Sequence, residues 1–274
     1  MIMFDRDGRP RGGGDLPILT YHSLDDSGSV LSVSPSVFAE HMRLLHEAAI
    51  STLSIPAAAK ALRDGQEPAG AVVITFDDGF ENVYRHAYPV LRHYGFTATV
   101  FLVTDYCGKD NSWPSQAAHV ERRPLLRWAQ VKEMSRAGMA FGAHTHTHPD
   151  LTRLPLGAAE AEIVASKRAI EEAVQRPVES FAYPYGAYDE SVKRLTAANF
   201  PLACSTRLDF ATPGSDPLAL ERLDMYYLRH PRLFRRLLSG EARTYIRLRR
   251  LAREARPMLV GRFGGTQGHP WGGT

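Results

Sequence analysis

The stretch Ala71-Val-Val-Ile-Thr-Phe76-Asp77-Asp78-Gly79 decides the fold. Six apolar or β-branched residues in a row, with no polar alternation, read as a strand buried on both faces. Such strands belong to parallel sheets covered by helices. The run ends abruptly in two adjacent carboxylates, which are costly to bury unless paired or bound to a cation. Gly79 lets the chain turn at once. Neighbouring side chains diverge, so the two acids are free to take different tasks, one as a cation ligand and the other as a base.

Upstream, Pro17-Ile-Leu-Thr-Tyr21 is a second short apolar run, and His22 follows it. Ser34-Pro35 opens a helix that carries Phe38, Met42 and Leu45 on one side, Pro being tolerated at the first helical position. Downstream, the pattern predicts a helix over 82–94 ended by Gly95, a strand over 97–103, and a long polar loop over 105–125. It then predicts a helix over 128–136 stopping at Gly138, a strand over 139–143, a helix over 157–175 and a strand over 179–183. A helix over 189–198, strands over 201–205 and 219–225, and a helix over 231–238 complete the series. This alternation argues for a single α/β domain with a mostly parallel sheet. In barrels and open α/β sheets the chemistry sits at the C-terminal ends of the strands.

Composition excludes several classes. Of 274 residues, 44% are hydrophobic and 23% charged, which fits a folded globular chain and neither a disordered nor a collagen-like one. No apolar run approaches the ~20 residues of a membrane-spanning helix. Cys107 and Cys204 supply neither a disulfide framework nor a four-cysteine zinc site, and two reduced, mostly buried thiols are expected. The start, Met1-Ile-Met-Phe-Asp-Arg-Asp-Gly-Arg-Pro, lacks the apolar core of a signal peptide, so a cytoplasmic location is expected. From Arg235 onward, nine Arg and two Glu leave +7 against +3 for the whole chain, so the remainder carries −4. Segment 243–256 has helical spacing, with Tyr245, Ile246, Leu248 and Leu251 on one apolar side. Such a basic helix suits either packing on the domain or an anionic membrane surface, which makes the protein a candidate for peripheral membrane attachment. Residues 1–15 and Gly264–Thr274 read as disordered ends.

The other strand ends carry further chemistry. The strand over 139–143 runs into His144-Thr-His-Thr-His148. In an extended segment all three imidazoles would share a face; in a turn His144 and His148 would converge. Two His with one carboxylate and open positions make a catalytic metal arrangement. The strand over 179–183 runs into Tyr183-Pro184-Tyr185-Gly186, a tight turn whose amides can face an oxyanion. His22 ends the first strand and is a candidate acid.

Taken in this order, Thr75-Phe-Asp77-Asp78-Gly79, His144-Thr-x-Thr-His148 and Tyr183-Pro-Tyr185-Gly186 resemble the NodB-type polysaccharide deacetylases, carbohydrate esterase family 4. The resemblance spans about residues 16–240, which would form the catalytic domain, with 241–274 a basic tail. It implies a distorted (β/α) barrel and a divalent metal, most commonly Zn2+. The implied activity is N-deacetylation of acetylated amino sugars. By position it implies Asp77 as general base, Asp78, His144 and His148 as metal ligands, and the Tyr185 amide in the oxyanion hole, with His146 outside the ligand set. The third motif departs from the family pattern, with Ala182 where an Arg is usual; Arg222 is the candidate replacement near Asp77. Phe-Ala-Tyr-Pro-Tyr-Gly together with Leu-Thr-Tyr-His22 looks like the branch of poly-N-acetylglucosamine deacetylases, in which the acid His comes from the first strand. Leu228-Arg-His230 fits the usual late motif, and His22 is preferred to it.

The expected partner is a glycan or sugar precursor bearing N-acetyl groups, and no nucleic acid. Trp113 and Trp128 flank the long loop as candidates for stacking on a sugar or for core packing. The competing readings are an O-acetyl esterase or other small-acyl amidase on the same fold, and a non-catalytic glycan-binding module.

Overall fold

The computed structural model describes residues 15–64, 70–116 and 120–260. Seven parallel strands close into a barrel: β1 (Ile18–Tyr21), β5 (Ala71–Phe76), β6 (Thr99–Leu102), β7 (Ala140–Ala143), β8 (Ser180–Ala182), β9 (Leu202–Leu208) and β10 (Leu220–Asp224). Closure is made by β1, which pairs with β10 on one side and with β5 on the other, Ile18 to Tyr21 lying opposite Val73 to Phe76. The remaining short strands are β2 (Ser23–Leu24), β3 (Ser32–Val33) and β4 (Ser51–Leu53); β4 pairs with the N-terminal half of β5. All seven barrel strands lie where the apolar runs place them, with ends shifted by a few residues.

Helices α1 (Pro35–Glu47), α3 (Tyr88–Tyr94), α4 (Trp128–Arg136), α5 (Leu156–Val174), α6 (Glu190–Asn199) and α7 (Pro231–Leu238) also fall on the predicted segments. The helix expected over 82–94 is interrupted by a π turn at Val83–Ala87. Pro89 has no N–H to give to the preceding turn, which disfavours continuous α-helix there. Four of these strands and helices do not follow from periodicity. Three are β2, β3 and β4, too short to show a pattern. The fourth is α2 (Ile55–Arg63), whose Ala-rich sequence hides its narrow apolar side of Ile55, Ala58 and Leu62. These three residues join Leu16, Ile18, Val73, Phe101, Ala182, Cys204 and Leu220 in a single cluster inside the barrel. The larger cluster lies between the strands and the outer helices.

The last described element is α8 (Arg243–Val260). Its first turn pairs Arg243 with Asp15, just ahead of β1, and Arg250 pairs with Asp209. Arg253 lies over the Tyr227 ring, just past β10. The helix therefore runs from the N-terminal toward the C-terminal end of the barrel. The single apolar side expected for it is split. Ile246 is buried and Tyr245 bonds the Tyr227 carbonyl, whereas Leu248 and Leu251 are 61% and 49% exposed. Of the expected disordered ends, Asp15 is ordered against Arg243; residues 1–14 and 261–274 lie outside the described residues.

Candidate active site

The C-terminal ends of β1, β5, β7, β8 and β10 bring His22, Asp77, Asp78, His144, Tyr185 and Arg222 toward one another. Asp77 leaves β5 into the barrel mouth and is buried. Arg222 of β10 grips it with two bonds, Nη1 to Oδ1 and Nη2 to Oδ2, each 2.7 Å. The guanidinium is itself buried, bonds the Ser205 carbonyl through Nε and lies over the Phe101 ring. Arg222 is thus the cation that pairs with Asp77, while Ala182 offers none. A planar guanidinium fork fixes a carboxylate in position as well as in charge. Burial alone would push the Asp77 carboxyl up; the charge and hydrogen bonds of Arg222 outweigh it and hold the group below the usual carboxylate range. On its other side, His22 Nε2 lies 3.9 Å from Asp77 Oδ2, with the imidazole 18% exposed.

Asp78 points the opposite way. Its backbone is left-handed, with φ +69°, and Gly79 follows at φ +74°. A Cβ on Gly79 would sit 2.8 Å from Leu102, so the turn also needs a residue without a side chain. Asp78 Oδ1 faces His144 Nε2 at 3.5 Å and His148 Nε2 at 3.4 Å. The two Nε2 atoms are 3.2 Å apart. His144 and His148 converge because the loop between them turns, with Thr145 at φ +66° and His148 at φ +62°. His146 is turned away and bonds Thr104 Oγ1 through Nδ1.

The outward nitrogens settle the tautomers. His144 Nδ1 is 2.7 Å from the Ala182 carbonyl, which can only accept, so this nitrogen carries the proton. His148 Nδ1 is 3.0 Å from the Tyr185 hydroxyl, which donates in turn to Ser115 Oγ at 2.8 Å. Ser115 Oγ donates to the His148 carbonyl, closing a ring that begins and ends on one residue. With Nδ1 of each ring engaged outward, a neutral imidazole at either position turns its Nε2 lone pair toward the other ring and the Asp78 carboxylate. Three such acceptors converging in a buried place suit a cation between them. Asp78, His144 and His148 place three ligand atoms within 4.8 Å of one another, and two imidazoles with one carboxylate suit a divalent metal.

Besides its amide, Tyr185 brings a hydroxyl that bonds His148 Nδ1; burial pushes the hydroxyl up to about 12, so it stays protonated. Its turn is strained, with φ +60° at Tyr185. His230 lies away from the site, exposed, where its Nδ1 accepts from Arg232 N and caps α7. Trp113 is buried rather than offered to a sugar, its ring 4.4 Å from that of His148, and Trp128 is packed half-buried against the core. Cys107 and Cys204 are free thiols, both pushed up to about 12 by burial. Asp224 joins the same end of the barrel. It ends β10 in register with Thr20, two residues before His22, and burial pushes its carboxyl up. An acid at the end of a predicted barrel strand is the signal that marks it.

A family model of the polysaccharide deacetylases matches residues 64–202. The chain is 31% identical over 210 residues to YxkH of Bacillus subtilis (strain 168), whose name places it among the polysaccharide deacetylases; the match covers 76% of this chain and 70% of that protein. It is 26% identical over 202 residues to the poly-beta-1,6-N-acetyl-D-glucosamine N-deacetylase of Staphylococcus aureus (strain MRSA252), covering 70% of this chain and 67% of that one. The deacetylase PplD of Streptococcus pyogenes, solved in complex with acetate, has the same fold with a TM-score of 0.68 and 27% identity, over 78% of this chain and 93% of that one. The matched segment contains both carboxylates and both histidines, and on that ground this chain belongs to the polysaccharide deacetylase family.

Proposed function

We propose that this protein removes the N-acetyl group of an acetylated amino sugar in a glycan or its lipid- or nucleotide-linked precursor, with zinc as the metal. The observation that carries the reading is the placement of Asp77 between Arg222 and His22, beside the Asp78–His144–His148 group. A divalent ion held by Asp78, His144 and His148 would supply polarisation of the acetyl carbonyl and a water of lowered pKa. Asp77, kept ionised by Arg222, takes a proton from the attacking water. The Tyr185 amide, in the turn after β8, donates to the developing oxyanion. His22, as the acid, gives a proton to the departing nitrogen as the C–N bond breaks. Water and amide are thereby converted to acetate and a free amine.

The test is acetate release from N-acetylglucosamine oligomers by protein stripped of metal and then resupplied with zinc, run beside Asp77→Asn. Restored release that is absent in the variant supports the reading. Release from acetyl esters but not from amides would replace it with an O-acetyl esterase. Zinc bound at one per chain with release from neither would keep the site and move the search to lipid- or nucleotide-linked precursors; neither zinc nor release would leave a binding module.

The outer face of α8 supports a second inference, attachment to an anionic lipid surface. Leu248 and Leu251 are exposed there beside Arg247, while Ile246 and Tyr245 keep the helix on the barrel. Leu248→Ser with Leu251→Ser, which leaves the packing side intact, is expected to weaken sedimentation with phosphatidylglycerol vesicles. Unchanged sedimentation would refute attachment through this face.

A further inference from the structure

The loop that presents both histidines is held in an unfavourable shape, and one carboxylate outside the expected site holds it. Thr145 and His148 are both left-handed, a conformation costing a residue with a side chain about 1–2 kcal/mol. Between them, the His146 and Thr147 amides point to the same side. Glu162 of α5 receives both on Oε2, at 2.8 and 2.7 Å, and its Oε1 accepts the Thr147 hydroxyl at 2.7 Å. Successive amides in such a turn form a nest that binds an anion, and here the anion is a side chain of the protein itself. Glu162 makes no ion pair among the described residues. Thr145 Oγ1 accepts from the His148 amide at 3.0 Å and donates to the His144 carbonyl, so the shape imposed at 146–147 passes directly to both ligands. The far side of the loop is tied to the segment after β6, where Asp105 N donates to the His146 carbonyl.

We propose that Glu162 is a positioning residue that pre-forms the Asp78–His144–His148 group by filling the nest between the two histidines. The proposal rests on the metal-site reading of those three residues. Without the carboxylate, two amides and a hydroxyl lose their acceptor. The left-handed residues then relax, and the Nε2 atoms no longer face Asp78. Glu162→Gln keeps the volume of the side chain but replaces the charged acceptor with one neutral carbonyl oxygen, which weakens both amide bonds, and sets an NH2 donor where Oε1 accepted the Thr147 hydroxyl.

A built-in control lies on the same helix. Glu171 Oε1 accepts the Val178 amide at 2.9 Å, anchoring the loop at the other end of α5, away from the histidines. The experiment is zinc affinity by chelator competition, with melting of the metal-free protein, for wild type, Glu162→Gln, Thr147→Val and Glu171→Gln. Loss of a partner that orients a metal ligand typically weakens metal binding by about 10–100-fold. That loss is expected in Glu162→Gln, a smaller one in Thr147→Val, and none in Glu171→Gln even though its metal-free form melts earlier. Zinc affinity in folded Glu162→Gln equal to wild type would overturn the proposal and leave the metal-site reading standing. Should Glu162→Gln fail to fold, the same comparison is made on Thr147→Val, where unchanged affinity overturns it. Wild type that binds no zinc would overturn the metal-site reading and this proposal with it.

Discussion

At the N-terminal end of the barrel, Ile55, Ala58 and Leu62 of α2 close the opening against Leu16, Ala211 and Leu220, each 5% exposed or less. At the C-terminal end, Asp77, Asp78, His144, His148 and Arg222 are buried nearly as deeply, each 6% exposed or less. Among the described residues, that end also holds Asp78, Thr145, His148 and Tyr185 in left-handed backbone. One opening is sealed by apolar burial, at about 25 cal/mol per Å². The other keeps ionisable groups out of water, which is tolerable only when each has a partner. Stability and chemistry are thus assigned to opposite ends of the same strands. Damage at the first end should reach folding alone, and damage at the second should reach turnover.

The variant with the largest expected effect is Asp77→Asn. Loss of a general base lowers turnover by about 10²–10⁴. The change also strands the buried Arg222 charge, which costs about 3–5 kcal/mol, so this variant strikes both properties at once. Zinc retained at one per chain with turnover lost is the expected result; turnover near wild type would mean that Asp77 is not the base. Next come the two histidines that compete as acid. His22→Ala is expected to reduce kcat by about 10²–10⁴, whereas His230→Ala removes only a helix cap and leaves kcat unchanged. The reverse pattern would move the acid to the α7 side of the molecule. At the sealed end, Ile55→Ala is expected to cost about 2–5 kcal/mol of stability through the cavity it leaves. Zinc binding and kcat per folded molecule should not change; a fall in kcat at saturating zinc would break the division between the two ends.

A last effect, spread over several pH units, tests the rule behind the comparison, that buried charge needs a partner. His41 is buried under the ring of Phe234 and bonded to the Tyr21 hydroxyl. Burial pushes it down to about 3, so it stays neutral. The unfolded chain takes up that proton near pH ~6.5. Between that value and the folded value the unfolded state holds more protons, so stability falls as pH falls, by at most about 1.4 kcal/mol per pH unit. His41→Gln should flatten the acid side of a melting-temperature profile over this window, and an unchanged slope would assign the acid sensitivity to other groups.

Much of the site is legible along the chain because its signals are local. The run 71–76 that stops at Asp77 and Asp78 announces both a buried strand and the place of its chemistry. The spacing from His144 to His148 leaves a turn as one of two readings, and the turn is the one adopted. What escapes is whatever depends on a surface presented by another part of the chain. Leu228-Arg-His230 matches a motif as a string, yet His230 faces solvent because Pro231 starts a helix there. Glu162 looks like an ordinary helix-surface acid until α5 packs under the histidine loop. Tyr245 and Leu248 appear to share a side of α8, yet the barrel wall takes one and leaves the other in water.

The order of residues along the chain is enough to place the seven strands, their connection through helices, and the ionisable residues at the strand ends. Strand burial and turn chemistry are encoded within a few residues of one another, so a local reading suffices. Which of those residues meet is set by the folded barrel. Arg222 reaches Asp77 across 145 positions because β1 closes the barrel between β10 and β5. The Tyr185 hydroxyl reaches His148 because β7 and β8 lie side by side. Closure and register are properties of the whole ring of strands, and no short segment carries them.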